Sequence, residues 1–181
     1  MKLNKEEIGR RYARALFEYA GEERQYEPIL EELLQLEQVY QQIPDLKNIF
    51  SDARLSVLKK QKLVDLMQQN VSPIMQRFLQ LLFDYQRLDI LPEVVTAYQQ
   101  RFDQMTKTYH AVITSAVELD DQQVTRLQAA LATRLGANQV LVETKVDPEI
   151  VGGIITQIGD QIVDGSIRTR LQHLNQVLLN N

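Results

Sequence analysis

The chain has 181 residues, room for one ordinary domain or two small ones, and its 44% hydrophobic and 24% charged content suits a protein that buries a core. A net charge of −4 argues against nucleic-acid binding, because the basic clusters Arg10-Arg11 and Lys59-Lys60-Gln61-Lys62 lie among carboxylates and read as solvated helix faces. The absence of cysteine excludes disulfides, thiolate metal sites and a cysteine nucleophile, and two histidines, His110 and His173, cannot build a histidine metal centre.

From residue 1 to about Tyr109 the pattern is helical, with proline, glycine and capping residues marking the breaks. A first helix begins near Lys5 and ends at Gly21. A second tolerates Pro28 in its early turns and stops before Pro44. A short helical piece covers Asp45 to Phe50. Ser56 reads as the cap of a fourth helix through Gln69, and Ser72-Pro73 as a cap and first-turn proline for a fifth, to about Tyr85. A sixth starts around Pro92 and reaches Thr106 or beyond, so the expectation is a six-helix bundle.

After His110 the period changes. The segments Ala111–Val117 and Val140–Val146 are rich in β-branched residues and read as strands. The helix between them is capped by Asp120 or Asp121, closed by Gly136, and carries Val124, Leu127, Leu131 and Leu135 at helical spacing. Gly153 to Val163 reads as two short strands joined by a hairpin at Gly159-Asp160. Asp164-Gly165 is a turn, and Ser166 caps a last helix with Ile167, Leu171, Leu174 and Leu178 on one face. The fold class is therefore mainly α, with the N-terminal helices followed by a small α/β domain. Their boundary falls at 107/108, giving domains 1–107 and 108–181.

Catalytic chemistry finds little support. No P-loop occurs, and the spacing around Gly152, Gly153 and Gly159 is not that of a dinucleotide-binding loop. Those glycines suit a positive φ or a bulge before a hairpin. Gly-x-Ser-x-Gly is absent, His110 has no carboxylate partner evident from the sequence, and His173 sits beside an apolar stripe. Asp120-Asp121 and Glu31-Glu32 read as helix-start and helix-surface acids. No catalytic residue, metal ligand or cofactor site is assigned. Nor does the N-terminus carry a signal-peptide apolar segment, and no run approaches the roughly 18–20 apolar residues that span a bilayer. The expectation is a cytosolic protein that meets a membrane only through partners.

Interaction signals are stronger. On a helical wheel Ile8, Tyr12, Ala13, Ala15, Leu16, Phe17, Tyr19 and Ala20 fill an arc of about 200°, wider than the ~100° that packing on one core minimally needs. Arg10, Arg11, Arg14 and Glu18 occupy the remainder. The layout returns 66 residues later, with Ile74, Phe78, Leu79, Leu81, Leu82, Phe83 and Tyr85 apolar and Gln76, Arg77, Gln80 and Asp84 polar. Either both helices are central in the bundle, or their spare edges adjoin and form a groove for an amphipathic helix, with Tyr12 and Phe78 as anchors. Arg168 and Arg170, in the first turns of the last helix, read as a solvated face or as contacts to an anionic partner.

The run Val146 to Leu171, VDPEIVGGIITQIGDQIVDGSIRTRL, resembles the signature of the ATP synthase δ subunit family, which includes the mitochondrial oligomycin-sensitivity-conferring protein. Its turn and cap positions are Gly152, Gly153, Gly159, Asp160, Asp164, Gly165 and Ser166, and Arg168, Arg170 and Leu171 match as well. Arg11-Tyr12-Ala13-Arg14-Ala15-Leu16-Phe17 looks like the family's opening motif. Arg87-Leu88 followed by Leu91-Pro92 resembles its junction between the fifth and sixth helices. The resemblance spans essentially the whole chain. It implies a non-catalytic stator subunit of the proton-translocating F-type ATP synthase, peripheral to a bacterial cell membrane on the cytoplasmic side. In the family, the N-terminal domain binds the N-terminal helix of an α subunit between the first and fifth helices. Carried over, Tyr12, Ala15 and Leu81 line that groove, with Phe78 added from the wheel. The C-terminal domain is implied to bind the b subunits of the peripheral stalk. A helical adaptor of another cytosolic complex, or a small enzyme using the Gly152-Gly153 loop on a phosphorylated ligand, are the alternatives.

Overall fold

Proline, serine and short polar breaks partition the first hundred residues into helices, and β-branched runs supply strands only later. The computed structural model describes residues 4–52 and 54–179, with side-chain surroundings as far as residue 176. The chain is mainly helical and divides into two units, Met1–Phe102 and Asp103–Asn181. A four-stranded mixed sheet lies in the second.

The first unit contains α1 (Lys5–Glu22), α2 (Tyr26–Gln42), α3 (Leu46–Ser51), α4 (Val57–Met67) and α5 (Pro73–Asp84). A 3-10 turn (Leu88–Ile90) then leads into α6 (Leu91–Thr106), whose last residues fall in the second unit. Ile29, Leu33, Met75, Leu79, Leu82, Ile90 and Tyr98 form the fully buried centre of this core. Two tyrosine hydroxyls inside it are satisfied by backbone. Tyr40 donates to the Leu88 carbonyl at 2.8 Å and Tyr98 to the Tyr26 carbonyl at 3.1 Å.

Several boundaries differ from the sequence reading, each for a local reason. α1 continues through Gly21 to Glu22, and the left-handed residue beyond it is Arg24, at φ 56°. Gly21 is there for space: a Cβ would collide with the Tyr26 hydroxyl at the start of α2. Ser56 precedes α4 with extended backbone, but its side chain makes no cap hydrogen bond, and the helix stops at Met67, short of Gln69. Ser72 caps α5 as expected, accepting from the Met75 amide at 3.3 Å, with Pro73 at the first helical position.

In the second unit β1 (Thr108–Ser115) begins earlier than Ala111. Lys107, at φ 54°, breaks the helical path directly after α6 and lets the strand start at once. It also ends before Val117, where the Ser115 hydroxyl donates to the Val117 carbonyl at 2.6 Å. α7 (Asp121–Leu135) makes the crossover to β2 (Gln139–Val146), which pairs parallel to β1 with Thr108 opposite Gln139 and Ser115 opposite Val146. Of the two candidate caps it is Asp120 that serves: its carboxylate takes the Gln123 amide at 2.7 Å, and Gln123 takes the Asp120 amide at 3.0 Å. β3 (Ile154–Ile158) lies antiparallel to β1, and the hairpin at Gly159-Asp160 returns the chain as β4 (Gln161–Asp164). The strand order is β2-β1-β3-β4. α8 (Ile167–Leu179) closes the unit, and its stripe of Ile167, Leu171 and Leu174 is solvent-exposed. The side chain of Leu178 lies outside the described residues.

Candidate functional site

Three local devices anchor the starts of α1 and α5. At the start of α1, the Glu7 carboxylate accepts the Asn4 amide at 3.3 Å, occupying a backbone donor that the helix leaves free. Gly9 faces α6, where a Cβ would lie 2.9 Å from that of Glu93, so only glycine permits this approach. At the start of α5, Glu32 of α2 accepts both the amide (2.8 Å) and the hydroxyl (2.9 Å) of Ser72. A carboxylate at a helix N-terminus is electrostatically favourable, so Glu32 clamps α2 to α5 and is more than the surface acid its sequence context suggested.

Lys5 forms an ion pair at 2.7 Å with Asp89, which follows the C-terminus of α5. Further along, the rings of Tyr12 and Phe78 meet edge to face, 6.5 Å apart at 70°. The beginning of α1 therefore lies near the end of α5, the middles touch, and the two helices run in opposite directions. Each buries one stripe in the core: Gly9, Ala13, Leu16 and Ala20 from α1, and Met75, Phe78, Leu79 and Leu82 from α5. Beside these run the apolar series Ile8-Tyr12-Ala15-Tyr19 and Ile74-Phe78-Leu81-Tyr85, spaced i, i+4, i+7, i+11, in which Ile8, Tyr12 and Ile74 pack partly against the core and Ala15, Tyr19, Leu81 and Tyr85 are exposed.

These residues leave an apolar surface on α1 and α5 that is only partly covered. Phe78, only 7% exposed, lies against half-buried Tyr12. Ala15 is exposed, and Tyr19, Leu81 and Tyr85 are 38%, 41% and 66% exposed. The helices are central on one edge, while Ala15, Tyr19, Leu81 and Tyr85 stay exposed on another. Ile8 lies toward the Leu81–Tyr85 end, and Ile74 toward the Ala15–Tyr19 end. With a rise of 1.5 Å per residue, the seven residues on either side of the Tyr12–Phe78 contact extend over roughly 20 Å, the length of a helix of about 14 residues.

The turn and cap residues around Gly152 and Ser166 assemble into a single knot in the second unit. Gly153 has φ 80°, and a Cβ there would strike the Gly165 carbonyl oxygen. The Gly165 amide donates to the Ile154 carbonyl and the Ile167 amide to the Gly152 carbonyl, both at 2.9 Å. A Cβ on Gly152 would lie 2.7 Å from the Ile167 Cδ1. These close approaches leave no room for a side chain at Gly153 and little at Gly152. Asp164 accepts from the Ser166 amide (2.8 Å) and the Thr169 hydroxyl (2.7 Å), which hold its carboxyl below the usual range, while buried Ser166 accepts the Thr169 amide at 3.2 Å. Gly159, at φ 55°, and exposed Asp160 make the β3–β4 turn. Arg168 reaches Glu149 at 3.7 Å, so the anionic group near it belongs to this chain. Arg170 is exposed.

His110 does have a carboxylate partner. Asp103, in the last turn of α6, lies 3.0 Å from its Nε2, a pairing hidden in sequence because it bridges a helix and a strand across the Lys107 break. Among the described residues no three His, Asp or Glu side chains are grouped as metal ligands, and no helix is long and apolar enough to cross a membrane. In the first unit, a cleft beside Phe50, Val57 and Phe83 holds Lys60, whose ammonium donates to the Phe50 carbonyl at 2.9 Å.

Comparison with known proteins accords with this geometry. A family model described as ATP synthase delta (OSCP) subunit matches residues 8–178. The ATP synthase subunit delta of Latilactobacillus sakei is 41% identical over 99% of this chain and 99% of its own length. That of Lactiplantibacillus plantarum is 41% identical over 100% of both, and that of Enterococcus faecalis 37% over 99% of both. A chain in the cryo-EM structure of the Toxoplasma gondii mitochondrial ATP synthase hexamer shares the fold, with a TM-score of 0.68 at 21% identity, covering 95% of this chain and 97% of that one. With two open apolar stripes on α1 and α5, a glycine-knotted hairpin ahead of α8, and relatives matched from end to end, the chain belongs to the ATP synthase delta (OSCP) subunit family.

Proposed function

We propose that the chain is a non-catalytic stator subunit that links the α3β3 head of a bacterial F-type ATP synthase to the b subunits of its peripheral stalk. Its N-terminal six-helix bundle, residues 1–107, grips the head by taking the N-terminal helix of an α subunit into the α1–α5 groove. Tyr12, Ala15 and Leu81 line that contact above a floor made by Phe78. The α/β domain, residues 108–181, meets the b subunits and keeps the protein peripheral to the membrane, on its cytoplasmic side. The observation that supports this reading is the exposure of Ala15, Tyr19, Leu81 and Tyr85 along two apolar series spanning roughly 20 Å, a surface that suits a single amphipathic helix.

The mechanical logic is direct. Rotor torque drives conformational cycling in the head only if the head is held still, so the connector has to supply affinity and stiffness. A helix seated in an apolar groove does so because its release exposes a large apolar area at once. The test adds the purified full chain to F1 heads and membranes stripped of this subunit. Restored binding of heads to membranes and restored ATP-driven proton pumping are expected. Heads that neither bind the chain nor regain coupling would sink the proposal.

A further inference from the structure

The 66-residue correspondence between α1 and α5 extends to their surroundings. Ile8 and Ile74 are both half-buried, as are Phe17 and Phe83; Leu16 and Leu82 are both buried; Tyr19 and Tyr85 are both exposed. The polar faces repeat too. Arg14 donates to Glu18 at 2.7 Å, and Gln80, at the same offset, donates to Asp84 at 2.9 Å. Because the helices run in opposite directions and touch at the matching residues Tyr12 and Phe78, the groove approximates a two-fold axis through that contact. A helix entering along either direction meets matching side-chain types, with Tyr85 more open than Tyr19, 66% against 38% exposed. Of the stripe residues, the pair that breaks the equivalence away from the axis is exposed Ala15 against exposed Leu81. One end of the groove is recessed by a missing isobutyl group and the other is filled.

The rims repeat as well. Arg11 and Arg77 flank the two stripes near the centre, and among the described residues neither guanidinium has an ion-pair or hydrogen-bond partner. They present two positive charges, one on each side of the apolar strip.

We infer that the groove takes an amphipathic helix flanked by carboxylates on both sides of its apolar face, and that Ala15 and Leu81 alone set which way round it lies: the bulky end of the partner's stripe seats over Ala15 and the small-residue end over Leu81. The inference rests on the proposed groove and adds the occupant's charge pattern and orientation.

The test uses the full chain and two synthetic amphipathic peptides flanked by Glu, one with Leu at the N-terminal end of its stripe and Ala at the other, the second reversed. Each peptide carries a thiol at one end. The chain has no cysteine, so Glu22→Cys beyond Tyr19 and Arg87→Cys beyond Tyr85 report the two ends of the groove by disulfide capture. In both peptides the Leu-rich end is expected at Glu22→Cys, whatever the chain direction. The double variant Ala15→Leu/Leu81→Ala, changed only at exposed positions, is expected to move that end to Arg87→Cys, by about tenfold or more in the capture ratio. Equal capture at both ends, or a preference that survives the double substitution, overturns the orientation rule. Equal binding of a Lys-flanked peptide, or no binding of the Glu-flanked ones, overturns the charge rule. The α-subunit N-terminal helix, run in parallel, separates the two ideas: if it binds without orientation control by Ala15 and Leu81, the stator role stands and this inference fails.

Discussion

Replacing Leu81 by aspartate perturbs the groove while sparing the core beneath it. Full burial of a leucine stabilises by about 1.5–3 kcal/mol, so covering the 41% still exposed is worth roughly 0.6–1.2 kcal/mol, a three- to eightfold effect on Kd expected for Leu81→Ala. The aspartate adds the desolvation of a carboxylate under the bound helix, several kcal/mol in isolation. Arg77 stands one helical turn earlier and offsets part of this, leaving a total near 2–3 kcal/mol and a loss of about 30- to 150-fold. Stability changes far less, by about 1 kcal/mol at most, because Met75, Leu79 and Leu82 keep their burial and the penalty is only that of an acid near a helix C-terminus. Calorimetry with a peptide of the α-subunit N-terminal helix measures the binding, and urea unfolding measures the stability. Wild-type affinity in both variants would refute the placement of the helix in this groove. A Leu81→Asp loss no larger than that of Leu81→Ala would refute the desolvation reasoning.

Three further outcomes follow from the same geometry. Gly153→Ala places a Cβ against the Gly165 carbonyl at φ 80° and is expected to destabilise the second unit by more than about 2 kcal/mol in urea unfolding, with the α1–α5 groove unaffected. Tyr40→Phe removes the hydroxyl donor of the Leu88 carbonyl, which keeps the Leu91 amide, for a loss of about 0.5–1.5 kcal/mol; an unchanged denaturation midpoint would mean that the bond contributes nothing. Asp164 has its carboxyl lowered in the folded chain by bonds from Ser166 and Thr169, so its stabilising effect is present above the unfolded value near 3.8 and is lost as pH falls through the folded value. Carboxyl NMR titration should show a midpoint below 3.8, and Asp164→Asn should remove that part of the acid sensitivity.

How legible the site was varied with the range of the interaction. The stripes on α1 and α5 were visible as apolar arcs too wide for one core contact, because helical periodicity is a local property. Ser72-Pro73 and Ser166 were visible as caps for the same reason, whereas Asp120 could be told from Asp121 only by the Gln123 hydrogen bonds. Gly21 was misread as a stop signal. Its requirement is room for the Tyr26 ring, which no rule about helix ends contains. The Glu32 clamp on Ser72 and the Asp103–His110 pair join residues from different elements and had no sequence signature.

The sequence by itself determined the element types, the caps at Ser72 and Ser166, the change from helix to strand near residue 108 and the family, since each is written in local spacing or in a contiguous motif. Tertiary structure decided that α1 and α5 meet running in opposite directions, that Phe78 is buried while Leu81 stays exposed, and that Gly152-Gly153 and Gly165-Ser166 form one knot. These depend on which faces meet across dozens of residues of chain. That choice is made by burial and by the few points of close approach, and periodicity constrains it without selecting it.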